Sequence, residues 1–291
     1  MTALERHGAA APTVRFVQTG AVRWCVTERG AGPSVLLLHG TGSSAESFDA
    51  LTERLAAEGF RTIAPDLPGH ARTRVGPTFV PDLPTMAAST AELLERLGEP
   101  PTIAIGHSAG AAILARMVLD ELVAPALLIA LAPALAPLPG LAGLGFPVAA
   151  RLLASTPLSA RLLSAAATDE SIERLIDQTG ARLPAASLAR YQRLSRQPTH
   201  VEGVLAMLAA WELSQLAAEL PRLTTRTLVL AGADDAAIAP SLQRALASRL
   251  PNASFVCLDE VGHLLHEERP AAVFNAMAPA LLAAGRTVAV A

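Results

Sequence analysis

The stretch Thr102–Ile105 is short and apolar, the stretch Ser108–Leu122 is rich in alanine and leucine, and Gly106-His107-Ser108-Ala109-Gly110 joins them. A strand that turns into a helix across one residue brings its own end against the first helical turn. Side chains two positions before and after the apex would collide there, so a G-x-S-x-G spacing permits the turn and forces its serine into a strained backbone. The hydroxyl is then lifted clear of the sheet, beside a helix N-terminus where negative charge is favoured. Few features constrain a chain more. Gly106, Ser108 and Gly110 ask for a strand, an exposed nucleophile and a helix in immediate succession.

The surrounding pattern repeats that unit. Strands are expected at Val22–Thr27, Ser34–His39, Arg61–Pro65, Thr102–Ile105 and Ala126–Leu131, with helices over Glu46–Glu58, Leu83–Leu97 and Ser108–Leu122. Alternation of this kind predicts an α/β chain with a mostly parallel central sheet flanked by helices on both faces. From Ala132 to Pro221 only helical periodicity is read, in pieces such as Val148–Leu153, Ile172–Thr179 and Val201–Leu220. Strands resume at Thr227–Leu230 and Ser254–Leu258, each followed by a helix, near Ser241–Arg249 and Glu268–Ala283. The expected organisation is a core of residues 1–135 and 222–291, interrupted by a helical insertion over 136–221.

Ligands of open α/β sheets bind beyond the carboxyl ends of the strands. In this chain those ends carry His39-Gly40-Thr41-Gly42, the Ser108 turn, Ala231-Gly232-Ala233-Asp234-Asp235 and Asp259-Glu260-Val261-Gly262-His263. A serine, an aspartate and a histidine thus arise in that order. Serine needs a base to become a nucleophile at neutral pH. Of seven histidines, only His263 both follows the aspartate loop and opens the segment after the last strand. His7 lies in the N-terminal tail and His200 in the insertion. His39 and His70 fit loop-orienting positions, His107 is expected to turn away from the serine, and His266 is expected to back His263. Asp234 and Asp235 both qualify as the acid that orients the imidazole, whereas Asp259 and Glu260 read as loop residues. Two backbone N–H groups would stabilise an oxyanion, one from Ala109 after the nucleophile and one from Thr41, with Gly40 allowing close approach.

Composition excludes several chemistries. All 23 basic residues are arginine, so no Schiff-base lysine, Walker lysine or Ser-Lys dyad is available. A net charge of -3 gives no basis for nucleic acid as a partner. Cys25 and Cys257 match no metal spacing, and no metal or cofactor is expected. Gly40-Thr41-Gly42-Ser43-Ser44-Ala45 imitates a dinucleotide fingerprint, with Asp66 in place of a ribose-binding acid, but Asp66 leads into Pro-Gly turns and not into a second βαβ unit. The N-terminus shows no signal-peptide pattern, so a cytoplasmic location is expected. The uncharged stretch Leu122–Ala150 is long enough for a membrane span but is broken by five prolines (125, 133, 137, 139 and 147). It reads as a buried strand running into an apolar segment, with peripheral membrane contact as the alternative.

With LLLHGTGSS, APDLPGHARTR, GHSAGA, LVLAGADD and VGHLLHEERP in this order, nearly the whole chain resembles the α/β-hydrolase family. The resemblance implies an α/β-hydrolase fold whose insertion is a helical lid, a catalytic triad of Ser108, His263 and Asp235, and an oxyanion hole at Thr41 and Ala109. Asp235 is favoured over Asp234 because the family's acid usually lies three residues after the strand-end glycine. One proline of the pair common after that acid is absent here, at Ala239-Pro240. Within the family, GHSAGAAILARM, PDLPGH and GHLLHEERP resemble the magnesium chelatase accessory proteins of bacteriochlorophyll biosynthesis. That branch implies a small-molecule substrate, apolar or tetrapyrrole-like, chelatase subunits as partners, and a place near the photosynthetic membrane. Two functions therefore follow as expectations. One is serine-dependent hydrolysis of an ester-like bond. The other is an accessory protein that binds a tetrapyrrole or chelatase subunit, with Phe146, Tyr191 and Trp211 lining its cavity and some of Arg151, Arg161, Arg182, Arg190, Arg193 and Arg196 meeting propionates.

Overall fold

A computed structural model describes residues 11–137, 153 and 156–288. Nine strands form one sheet in the order β1-β2-β4-β3-β6-β7-β8-β9, with the two-residue β5 (Arg74–Val75) also paired to β2. The strands are β1 (Thr13–Thr19), β2 (Val22–Arg29), β3 (Ser34–Leu38), β4 (Arg61–Pro65), β6 (Ile103–His107), β7 (Leu127–Leu131), β8 (Thr227–Gly232) and β9 (Ala253–Leu258). From β4 through β3 to β9 every neighbouring pair is parallel, and β1, β2 and β5 add antiparallel pairings at one side. The chain leaves β3 for β4 on one side and returns to β6 on the other. The carboxyl ends of β3 and β6 are therefore the switch point where such sheets open a crevice.

Period-two alternation sorts the strand residues onto two apolar faces. Leu36, Leu38, Ala104, Leu128 and Ala130 pack under α2 (Leu83–Leu97) and α3 (Ala109–Leu119). Val35, Leu37, Ile103, Ile105, Ile129 and Leu131 face α1 (Asp49–Ala57) and the C-terminal helix Pro270–Val288. Helix α2 begins as its sequence suggests, with the Asp82 carboxylate accepting from the Thr85 N–H at 2.8 Å, and stops at Gly98 in the left-handed conformation (φ 69°).

Between β7 and β8 lie α4 (Pro157–Ala166), α5 (Asp169–Asp177), α6 (Ala185–Ser195), α7 (Pro198–Ala210) and α8 (Ser214–Glu219). The single helix expected over Val201–Leu220 is two, bent by 58°. The Glu212 carboxylate accepts the Ser214 N–H at 2.6 Å and so starts a new helix at the break. Strand β1 was not foreseen. It is an outer strand with Val14 and Phe16 exposed, so its side chains show no buried face for a pattern to reveal. Of the long uncharged stretch, Leu127–Leu131 is a fully buried central strand and 138–150 lies outside the described residues. Among the described residues no single helix is long and apolar enough to cross a membrane.

Candidate active site

Ser108 occupies the apex between β6 and α3 with φ 51° and ψ -115°. Such a conformation costs about 1–3 kcal/mol in a residue with a side chain and persists only where the surroundings enforce it. Here the Ser108 N–H donates to the Leu131 carbonyl at 2.9 Å, and its own carbonyl accepts from Ala111 N–H and Ala134 N–H. The two glycines are required for the reason the sequence suggested. A Cβ on Gly110 would stand 2.1 Å from the Leu38 carbonyl oxygen, and one on Gly106 would stand 2.5 Å from the Ala111 nitrogen. Because those obstacles are backbone atoms, Gly110→Ala is expected to destabilise the protein by about 3 kcal/mol or more. Urea unfolding would measure this, and a midpoint equal to wild type would show that the turn has slack.

Asp235 and His263 are joined. His263 Nδ1–H donates to Asp235 Oδ2 at 2.9 Å, with the carboxylate fully buried. Asp235 Oδ1 accepts the Ala237 and Ile238 N–H groups at 2.9 and 2.8 Å, and Oδ2 also accepts from the Gln243 side chain at 2.8 Å. Four donors therefore fix one carboxylate. Asp234 is exposed and faces away, beside Arg182 and Glu268 at the surface. Gln243 escaped the sequence reading. It lies on the helix Pro240–Ala247, and nothing local marks it as a partner of Asp235.

Ser108 and His263 line one cavity of about 300 Å³ together with Gly40, Thr41, Gly42 and Ser43. Gly40 brings the β3 loop against the serine, since a Cβ there would lie 3.1 Å from Ser108 Cβ and 2.8 Å from His107 Nδ1. His39 holds this loop from below. It accepts the Leu67 N–H at Nε2 (2.9 Å), which leaves the proton on Nδ1 to donate to the Gly40 carbonyl (2.8 Å). Ala109 is the first residue of α3, so its N–H has no acceptor within the helix. Thr41 N–H likewise has no protein acceptor among the described residues.

His107 does not turn away from the site as expected. It is buried under His263, with ring centroids 4.9 Å apart, and its Nε2–H donates to the His263 carbonyl at 2.9 Å. His266 packs in turn on His107 at 4.5 Å. Burial holds the imidazoles of His107 and His266 neutral, with His266 pushed down to about 3. His70 (about 4) and His200 (about 3) are depressed by the same cause, and His39 lies well below its ordinary value. Asp66, the acid of the dinucleotide imitation, is occupied inside the fold. Its Oδ1 accepts Ala45 N–H at 2.9 Å and its Oδ2 accepts from Arg72.

The insertion forms the roof. Ile172, Leu175, Ile176, Tyr191, Val201, Val204 and Leu205 make the cavity largely apolar. Tyr191 lines it as expected, whereas Trp211 packs against the core and Phe146 lies outside the described residues. The described arginines do not meet the cavity. Arg190 is buried in an ion pair with Glu267, Arg193 pairs with Glu46 and Arg196 with Asp169. Arg182 belongs to the outer surface beside Asp234, and Arg151 lies outside the described residues. Among the described residues no arginine, Arg161 included, lines the cavity. Burial raises the Glu267 carboxyl, opposed by Arg190 and by the Tyr191 hydroxyl, which donates to it at 2.6 Å.

Residues 35–276 match the model of the Alpha/beta hydrolase family. The chain is 38% identical over 259 residues to the magnesium-chelatase 30 kDa subunit of Rhodobacter capsulatus, spanning 86% of this chain and 88% of that one. Its fold is shared with a putative lipase of Acinetobacter baumannii AYE (TM-score 0.79, 22% identity, 95% and 93% of the two chains). A thermophilic esterase of Thermogutta terrifontis is similarly close (TM-score 0.77, 24% identity, 95% and 100%). With a parallel sheet that opens at the β3–β6 switch point, a helical insertion before β8, and a family match over most of its length, the chain belongs to the alpha/beta hydrolase family.

Proposed function

We propose that the protein is a serine hydrolase that cleaves an ester-like bond, with Ser108 as nucleophile, His263 as base and Asp235 as the group that orients the imidazole. The observation that carries this reading is the buried Asp235–His263 hydrogen bond, shared by a cavity that also holds a conformationally strained serine. A carboxylate fixed by four donors on Nδ1–H leaves Nε2 of His263 unprotonated and able to take the Ser108 proton as Oγ attacks a carbonyl. The Ala109 and Thr41 N–H groups would receive the charge that develops on the carbonyl oxygen. The protonated His263 then gives its proton to the leaving alkoxide, and water repeats the cycle to release the acid from Ser108. An apolar lining with no arginine among the described residues favours an uncharged portion of the substrate next to the serine.

The relationship to a magnesium-chelatase subunit supports placing this activity, as an accessory step, beside magnesium-porphyrin metabolism with chelatase subunits as partners. A purely binding role for a tetrapyrrole is less well supported, because the described arginines of the insertion are paired elsewhere or sit away from the cavity.

A fluorophosphonate probe tests the hydrolase reading. Wild type is expected to label, and Ser108→Ala and His263→Ala are expected not to. A folded wild type that stays unlabelled by small probes would sink the catalytic assignment and leave porphyrin titration as the test of binding.

A further inference from the structure

Three consecutive residues of the β3 loop each make a side-chain or carbonyl contact to the insertion. Thr41 Oγ1–H points to Met207 Sδ at 3.6 Å. The Gly42 carbonyl accepts from His200 Nε2–H at 3.2 Å. Ser43 Oγ lies 3.1 Å from the Tyr191 hydroxyl. The directions follow from the other partners. His200 Nδ1 accepts the Ala71 N–H at 3.0 Å, so its proton is on Nε2. Tyr191 donates to Glu267 Oε1, so it accepts from Ser43.

The anchors of this loop are themselves held firmly. Tyr191 and His200 are buried, and Glu267, which fixes Tyr191, is paired with Arg190 on the same helix. Gly203 of α7 packs on the loop after β4 so closely that a Cβ would meet the Gly69 carbonyl oxygen at 2.0 Å. The other two loops of the site meet the insertion as well. The Thr179 carbonyl accepts from Ala236 N–H at 3.1 Å and from His263 N–H at 3.4 Å. By contrast, the core holds the loop mainly at Gly40, through His39, and within the loop the Ser43 N–H closes a turn onto the Gly40 carbonyl at 3.2 Å.

We infer that Tyr191 and His200 are positioning residues, by which the docked insertion sets the conformation of residues 41–43 and so the place of the Thr41 N–H. Gly42, at φ 78°, faces open space where a Cβ would stand, so the bond from His200 to its carbonyl is what ties this residue to the insertion. Docking of the insertion and formation of an oxyanion site are then one event, and displacement of the insertion removes both. The catalytic half of this inference rests on the hydrolase reading above; the conformational half does not.

The experiment compares wild type with Tyr191→Phe, His200→Leu and His200→Gln, with Arg196→Ala as a control on an exposed ion pair of the insertion. Hydrogen exchange of the peptide covering residues 40–44 reads the loop directly. Tyr191→Phe and His200→Leu are expected to lose protection there while β6 and β7 keep theirs. His200→Gln, which retains a donor and an acceptor, is expected to restore part of it, and Arg196→Ala to match wild type. For ester hydrolysis the same two variants are expected to lose about 100- to 1,000-fold in kcat with KM within threefold, the range seen when one oxyanion donor is lost. Inhibition by a trifluoromethyl ketone, which forms a tetrahedral oxyanion, should weaken by the same factor. Unchanged exchange of 40–44 in both variants overturns the inference, as does a kcat within twofold of an active wild type. A wild type that neither labels nor hydrolyses overturns the hydrolase reading instead, and exchange then decides the loop's dependence on the insertion by itself.

Discussion

Asp235→Asn is expected to lower kcat for a short-chain ester by about 10⁴-fold with little change in KM or in folding. The reason is the direction of hydrogen bonds. Asp235 Oδ1 accepts two backbone N–H groups, so the amide oxygen of an asparagine would take that position. Its NH₂ group would then occupy the place of Oδ2, where it meets the His263 ring nitrogen and the Gln243 side-chain NH₂. A donor there forces His263 to accept at Nδ1 and to carry its proton on Nε2, and an Nε2–H cannot take a proton from Ser108. Gln243 can turn its Oε1, which has no partner, toward the new NH₂ only by giving up the bond its Nε2–H donates to the Ile238 carbonyl at 2.7 Å. Steady-state kinetics and a one-dimensional spectrum of the imidazole N–H protons would check this. Retained activity within tenfold would mean that Asp235 is structural and that another group orients His263.

Acidification is expected to unfold the protein early. His39, His70, His107, His200 and His266 are all held neutral, in each case chiefly by burial. Their folded values are depressed, to about 4 for His70 and about 3 for His200 and His266. In the unfolded chain each takes a proton as pH falls below about 6.5. The unfolded state then binds more protons, so stability is full above that pH and is lost as pH falls from about 6.5 toward the folded values. Each such group costs about 1.4 kcal/mol per pH unit inside the window. Asp49, Asp66 and Glu267 oppose part of this, because their raised values let the folded state hold protons that the unfolded state releases. The net expectation is a fall in Tm of about 10 °C between pH 7 and pH 5.5, given a few degrees per kcal/mol for a chain of this size. Calorimetry across that range measures it, and His70→Asn is expected to flatten the slope. A Tm independent of pH there would contradict neutral burial of these rings.

What the sequence determined is what short-range sterics and period alone can specify. Two glycines around Ser108 admit one kind of turn, and four apolar runs with no polar face admit only strands covered on both sides. The positions of Ser108, His263 and the β3 loop follow, because each sits where a strand ends, and strand ends are legible. Other features depended on residues far apart in the chain. Asp234 and Asp235 are neighbours of the same type, and only the packing of Gly180 against the Asp234 carbonyl, together with the donors from Gln243, Ala237 and Ile238, turns one outward and the other inward. Strand β1 lacks a buried face, so nothing in its pattern separates it from a loop. Helix α6 buries an arginine and a tyrosine in place of an apolar stripe, so its role is visible only once Glu267 and Ser43 are beside it. Sequence specifies a contact when its cause lies within a few residues. The tertiary structure decided the rest, because a buried carboxylate, a neutral histidine or a docked hydroxyl is stable only through partners that folding brings from elsewhere.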